Sequence, residues 1–207
     1  PGDGIYDPCF GSAGFLTQAV DHIRQNSSLS GQQMEHLQNQ AIGGIEFQPL
    51  SFLLGNMNLI LRGIEAPNLE LGNTLELHET NVKEADKYQV ILANPPYGGK
   101  AGTHQQVSFR IRSGKSETLF MQHIMGMLAK GGKAAVVVPE GTMFRGGAEM
   151  AVRKELIENS ESPPFFKVSF IPFGDNKKFA MVVAMSKLAG DGFSYYSIMN
   201  QMGIKNK

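Results

Sequence analysis

Asn94-Pro95-Pro96-Tyr97 puts two hydrogen-bond acceptors beside a flat ring. The Asn94 side-chain oxygen and the Pro95 carbonyl can each accept one hydrogen of an amino group, and the prolines stiffen the backbone so that the two converge. The Tyr97 ring supplies a face on which a planar, amine-bearing group can stack. The plainer alternative is a proline-stiffened loop with a half-buried tyrosine. Nearer the N-terminus, Asp7-Pro8-Cys9-Phe10-Gly11-Ser12-Ala13-Gly14-Phe15 sets an acid ahead of a glycine turn. Gly11 and Gly14 allow the backbone to turn tightly beside a ligand, to which a following helix would present its first amides. A purely structural turn could use the same residues. Glu46, closing a mostly apolar run, is placed to accept hydrogen bonds from paired hydroxyls or to sit as a solvated strand-end carboxylate.

Such groups need strand ends to hold them, and the pattern supplies them. Ile5-Tyr6-Asp7 reads as the end of a short strand, followed by a helix from about Phe15 to Gln25. The polar stretch from Asn26 to Gln40 reads as a loop with at most a short helix, and Ala41 to Ile45 as a second strand ending near Glu46. Pro49 suits a first helical turn, and Leu50, Leu53, Leu54, Met57 and Leu61 recur at helical spacing before Gly63, which predicts a helix packed on a sheet through those residues. Tyr88 to Ala93 is an apolar strand that the two prolines end. Glu117 to Leu128 is a predicted helix, Lys130-Gly131-Gly132 its stop, Lys133 to Val138 a buried strand and Gly147 to Glu158 a further helix. Phe165 to Phe170 and Met181 to Met185 are candidate last strands, near enough in sequence to pair as an antiparallel edge. The alternation predicts an α/β fold with a doubly wound, mostly parallel sheet.

Asp7 to Leu16, Gly44-Ile45-Glu46 and Asn94-Pro95-Pro96-Tyr97 together resemble, in this order, the motifs of adenine-N6 DNA methyltransferases. Arg112 to Met125 and Pro139 to Glu149 extend the likeness toward the modification subunit of type I restriction-modification systems, over roughly Gly4 to Glu158. The resemblance implies a Rossmann-like fold that binds S-adenosyl-L-methionine through Asp7, Pro8, Gly11, Ser12, Gly14, Phe15, Glu46, Asn73, Leu75 and Asn94. It implies that Asn94, Pro95, Pro96 and Tyr97 carry methyl transfer to adenine, and that DNA and separate specificity and restriction subunits are partners. It also implies a single catalytic domain over residues 1–207, lacking the family's N-terminal helical region and atypical over 159–207. Phe10 stands where the family often has a small residue or cysteine, Ala13 where glycine is common and Gln89 where aspartate is common. Two other readings remain beside it: methylation of a glutamine amide in a protein, and a non-catalytic cofactor-binding or assembly module.

Lys and Arg number 19, as do Asp and Glu, so no global positive field draws the chain to nucleic acid. Lys100, Arg110, Arg112, Lys115 and Arg145 are the candidate local phosphate contacts, or else a solvated charged rim. Met121, His123, Met125 and Met127 share one predicted helix, where packing accounts for them, and no metal-ligand spacing is evident. The opening Pro1-Gly2-Asp3-Gly4 lacks a signal-like start, Cys9 is the only cysteine and no apolar run reaches spanning length. A cytoplasmic protein is the expectation.

Overall fold

Ile5-Tyr6-Asp7 forms β1 (Ile5–Asp7), a strand buried along its whole length. In the computed structural model, which describes residues 3–77, 82–139, 141–158, 167–173 and 178–186, β1 is followed by α1 (Gly14–Asn26), α2 (Gly31–Asn39), β2 (Ile42–Glu46), α3 (Pro49–Ile60) and β3 (Asn68–Leu71). The chain divides between Thr74 and Leu75 into two compact units. In the first unit the strands run in the order β3-β2-β1, all parallel, with Asp7 beside Gly44 and Glu46 beside Leu71. Parallel neighbours need long crossovers, which the helices provide. Burial of every residue in β1 and β2 follows from covering both faces.

Three features of this unit depart from the sequence expectation. The polar stretch before β2 carries a full helix, α2, closed by a capping box in which Ser30 Oγ accepts from Gln33 N–H and Gln33 Oε1 from Ser30 N–H. Only Leu37 of that helix is buried, so apolar periodicity had little to report. Strand β3 was not anticipated. The leucines of α3 do not pack on the sheet: Leu50 is 70% and Leu61 80% exposed, with Leu53, Leu54 and Met57 also exposed, whereas Leu59 is fully buried. The helix approaches the core through Gly55, where an added Cβ would lie 2.6 Å from Phe10 Cε2. A Cβ at Gly44 of β2 would come within 2.8 Å of the same ring. Two glycines therefore make room for the large Phe10 ring, and Phe52 lies 6.1 Å from it, centroid to centroid.

The second unit contains β4 (Tyr88–Ala93), α4 (Thr103–Gln106), α5 (Ser116–Met127), β5 (Leu128–Val138), α6 (Gly141–Phe144), α7 (Ala148–Glu158), β6 (Lys167–Phe173) and β7 (Lys178–Ser186). Its strand order is β4-β5-β7-β6: β4 and β5 are parallel, β7 runs antiparallel to β5, and β6 antiparallel to β7. The predicted strand start at Phe165 lies outside the described residues, as does most of 159–207. Lys130-Gly131-Gly132 proves not to be a helix stop. The strand begins at Leu128, directly after α5, and the glycines lie within it. Tyr88 pairs with Leu128 and Val90 with Lys133, so two steps along β4 match five along β5. The surplus is taken up around Gly131, whose φ of +82° suits glycine. Among the described residues no helix is long and apolar enough to cross a membrane.

Candidate functional site

The first cluster lies where β1 and β2 end. Asp7, 2% exposed, accepts a hydrogen bond from Cys9 N–H at 2.9 Å. Burial pushes its carboxyl up to about 7, aided by the nearby charge of Glu46 and opposed by the bonds from Cys9. Glu46 uses both oxygens on backbone: Oε2 accepts from Gly11 N–H at 2.8 Å and Oε1 from Gln48 N–H at 2.7 Å. Each oxygen keeps lone-pair capacity for another donor. Gly11 has a φ of +57°, and a Cβ added there or at Gly14 would meet nothing within 4 Å. That open space beside a turn rich in amides is what a cradle for a ligand needs.

Pro8 is buried and its carbonyl accepts from Thr74 Oγ1, which ties the Gly72–Thr74 turn to the end of β1. Asn73 is half-buried in that turn and Leu75, which follows it, is buried. Ser12 is exposed, with its carbonyl held by Asn58 Nδ2 at 2.9 Å, and Phe15 is half-buried in the first turn of α1. The first unit thus brings Asp7, Pro8, Gly11, Glu46 and Thr74 together. Thr74 was not singled out as a site residue by sequence reasoning. Nothing local marked Thr74, because its partner lies 66 positions away.

Ala13, the helix N-cap, adopts a left-handed φ of 61° and is fully buried. A left-handed alanine costs about 1–2 kcal/mol, and burying its methyl returns roughly 0.8 kcal/mol. Alanine is therefore tolerable where glycine would be easier on the backbone.

The second cluster follows β4. Asn94, Pro96 and Tyr97 are exposed and Pro95 is buried. The Tyr97 hydroxyl donates to Asn94 Oδ1 at 2.8 Å, so the ring and the acceptor expected to share a substrate already touch each other. Gly98, with φ +70°, turns the chain out of the loop and donates its N–H to Glu117 Oε1. Of the five candidate cations, Lys115 pairs with Glu149 and Arg110 with Glu155. Lys100, Arg112 and Arg145 are exposed. Met121 and His123 are core residues of α5, and burial pushes the imidazole down to about 4, which keeps it neutral.

Chemically, the first cluster offers buried carboxylates and open amide-lined space, while the second offers an exposed amide oxygen and an aromatic face. Residues 1–162 match the family described as N-6 DNA Methylase. The EcoEI type I restriction enzyme methylase subunit of Escherichia coli is 36% identical over 160 residues, covering 76% of this chain and 32% of the relative. The EcoKI methylase subunit of Escherichia coli strain K12 is 33% identical over 165 residues, 76% of this chain and 31% of the relative. The crystal structure of the EcoKI M protein aligns with a TM-score of 0.74 at 29% identity, over 88% of this chain and 39% of that one. The chain spans about a third of the length of these curated relatives. With the α/β fold, the two strand-end clusters and the family match over most of its length, the chain belongs to the N-6 DNA methylase family.

Proposed function

We propose that this chain is the catalytic domain of an adenine-specific DNA methyltransferase, which moves a methyl group from S-adenosyl-L-methionine to the N6 amino group of adenine within a cytoplasmic type I restriction-modification system. The observation that carries the reading is an exposed asparagine beside a buried proline at the end of a strand, with a tyrosine ring exposed next to them. In this reading Asn94 Oδ1 and the Pro95 carbonyl accept the two amino hydrogens, Pro96 keeps the backbone in that shape, and the Tyr97 ring stacks on a base turned out of the duplex. Stacking of this kind contributes about 1–3 kcal/mol, comparable with what extruding a base costs. Orientation of the amine and stabilisation of the charge growing on it supply the acceleration, without a strong base. Water takes the proton afterwards.

The first cluster fits the cofactor. Asp7 would hold the cationic amino group, Glu46 the ribose hydroxyls, and the turn from Gly11 to Phe15 the open side of the cradle, with Pro8, Ser12 and Asn73 as its walls. Bound there, the cofactor supplies a methyl group activated by a sulfonium. DNA is the substrate, specificity and restriction subunits are the partners, and this near-neutral chain relies on the specificity subunit for duplex recognition.

The test incubates the protein, together with the partner subunits, with methyl-labelled cofactor and either duplex DNA or a glutamine-containing peptide. Label on DNA adenine supports the proposal. Label on the peptide alone, or no cofactor binding by calorimetry, overturns it.

A further inference from the structure

Resting on that reading of the Asn94–Tyr97 loop, we infer that Glu117 is a positioning residue for methyl transfer, acting through the backbone of Gly98. Glu117 stands in the first turn of α5 with its side chain buried. One carboxylate oxygen accepts the Gly98 N–H at 2.6 Å. The other, Oε2, is buried with no hydrogen-bond partner among the described residues. Burying a carboxylate half-satisfied is costly, and the single bond that it makes fastens the residue directly after Tyr97.

The neighbouring contacts have the same effect. Ser116 N–H donates to the Gly99 carbonyl at 3.0 Å, Ser116 Oγ to the Pro96 carbonyl at 3.4 Å and Ala101 N–H to the Gly114 carbonyl at 3.0 Å. A Cβ at Gly99 would lie 2.3 Å from Ser116 Oγ, so the loop can run this close to the helix only as glycine. The segment from Pro96 to Ala101 is thus laced onto the start of α5, and among the described residues Glu117 is the one ionisable side chain in these contacts. An acidic residue in this first turn is common at the amino end of a helix. Pulling Gly98 inward limits where the backbone of Tyr97, and with it the ring and the Pro95 carbonyl, can go.

The experiment compares Glu117→Ala and Glu117→Gln with the wild type in the full protein with its partner subunits. It measures kcat and KM for methyl transfer to duplex DNA, the Kd for S-adenosyl-L-methionine, and the shift and exchange rate of the Gly98 amide proton in protein labelled with 15N-glycine. Glu117→Ala is expected to lower kcat roughly 10- to 100-fold, to leave the cofactor Kd within about twofold, and to speed exchange at Gly98. Glu117→Gln keeps an acceptor oxygen, and is expected to restore both the Gly98 signal and most of kcat. Wild-type kcat in Glu117→Ala, or a fall in kcat with the Gly98 amide unchanged, overturns the inference. A wild type that binds cofactor but methylates no DNA, while Gly98 still loosens in Glu117→Ala, overturns the proposed reaction and leaves the lacing in place.

Discussion

The loop after β1 and the loop after β4 each leave a strand end, yet they handle polar groups in opposite ways. At the first, the acids are buried and bonded to backbone: Asp7 to Cys9, Glu46 to Gly11 and Gln48. At the second, Asn94 and Tyr97 are exposed and bonded to each other, and the order comes from outside the loop, through Ser116 and Glu117. Buried groups already fixed by backbone bonds make a preformed receptacle, whereas exposed groups held from behind can exchange one partner for another. We therefore expect the first loop to govern cofactor binding and the second to govern turnover.

The sharpest break of that division is Asn94→Ala. It should lower kcat for DNA methylation by about 10²–10³-fold or more with the cofactor Kd unchanged. Calorimetry showing cofactor affinity falling in parallel would collapse the distinction. Next, Glu46→Ala removes a charged acceptor from two backbone amides. It also removes the proposed acceptor of the ribose hydroxyls, and loss of such charge-assisted bonds, about 1.5–3 kcal/mol each, should raise the cofactor Kd by at least about tenfold, while kcat at saturating cofactor stays close to wild type.

A smaller effect comes from pH. The Asp7 carboxyl titrates near 7 in the folded protein, so in the free protein it becomes neutral below that pH and cannot attract a cationic amino group. Cofactor affinity should be flat in the alkaline range and fall by up to about tenfold per unit below pH 7, a slope that Asp7→Asn should flatten. For stability the sign is the reverse. A raised carboxyl pKa means that the folded form holds the proton more tightly, so its contribution is present in acid and is lost as pH rises from 3.8 toward 7. The melting temperature of the ligand-free protein, followed across that window, checks this. The smallest expected change is Tyr97→Phe, which keeps the ring and frees Asn94 Oδ1. Stacking worth about 1–3 kcal/mol is retained, so KM for DNA should move less than about threefold. A large loss would mean that the hydroxyl itself takes part.

Legibility in the sequence followed the range of the interaction. Asn94-Pro95-Pro96-Tyr97, the glycine turn and Glu46 could be read because proline and glycine act on their own backbone and because apolar runs announce the strands that end there. The bounds of β4, α5 and α7 were likewise within a residue of expectation. Helix α2 was legible only as a loop with room for a short helix because a capping box and one buried leucine, not an apolar stripe, define it. Helix α3 was recognised but turned the wrong way: it is apolar nearly all round, so periodicity could not tell the leucine stripe from the Gly55 and Leu59 side that meets Phe10. The glycines near 131 read as punctuation, yet they sit in a bulge whose existence depends on the register with β4.

From sequence alone came the α/β alternation, the strand-end location of both clusters and the residue types able to hold a cofactor and an amine, since each is a property of side chains and local backbone. Only the tertiary structure decided that Thr74 closes on Pro8, that Gly44 and Gly55 admit Phe10, that the Tyr97 hydroxyl bonds to Asn94 and that Glu117 fastens Gly98. Apart from the short-range pair of Tyr97 and Asn94, these contacts join residues at least 19 positions apart. Packing, rather than local preference, selects such partners.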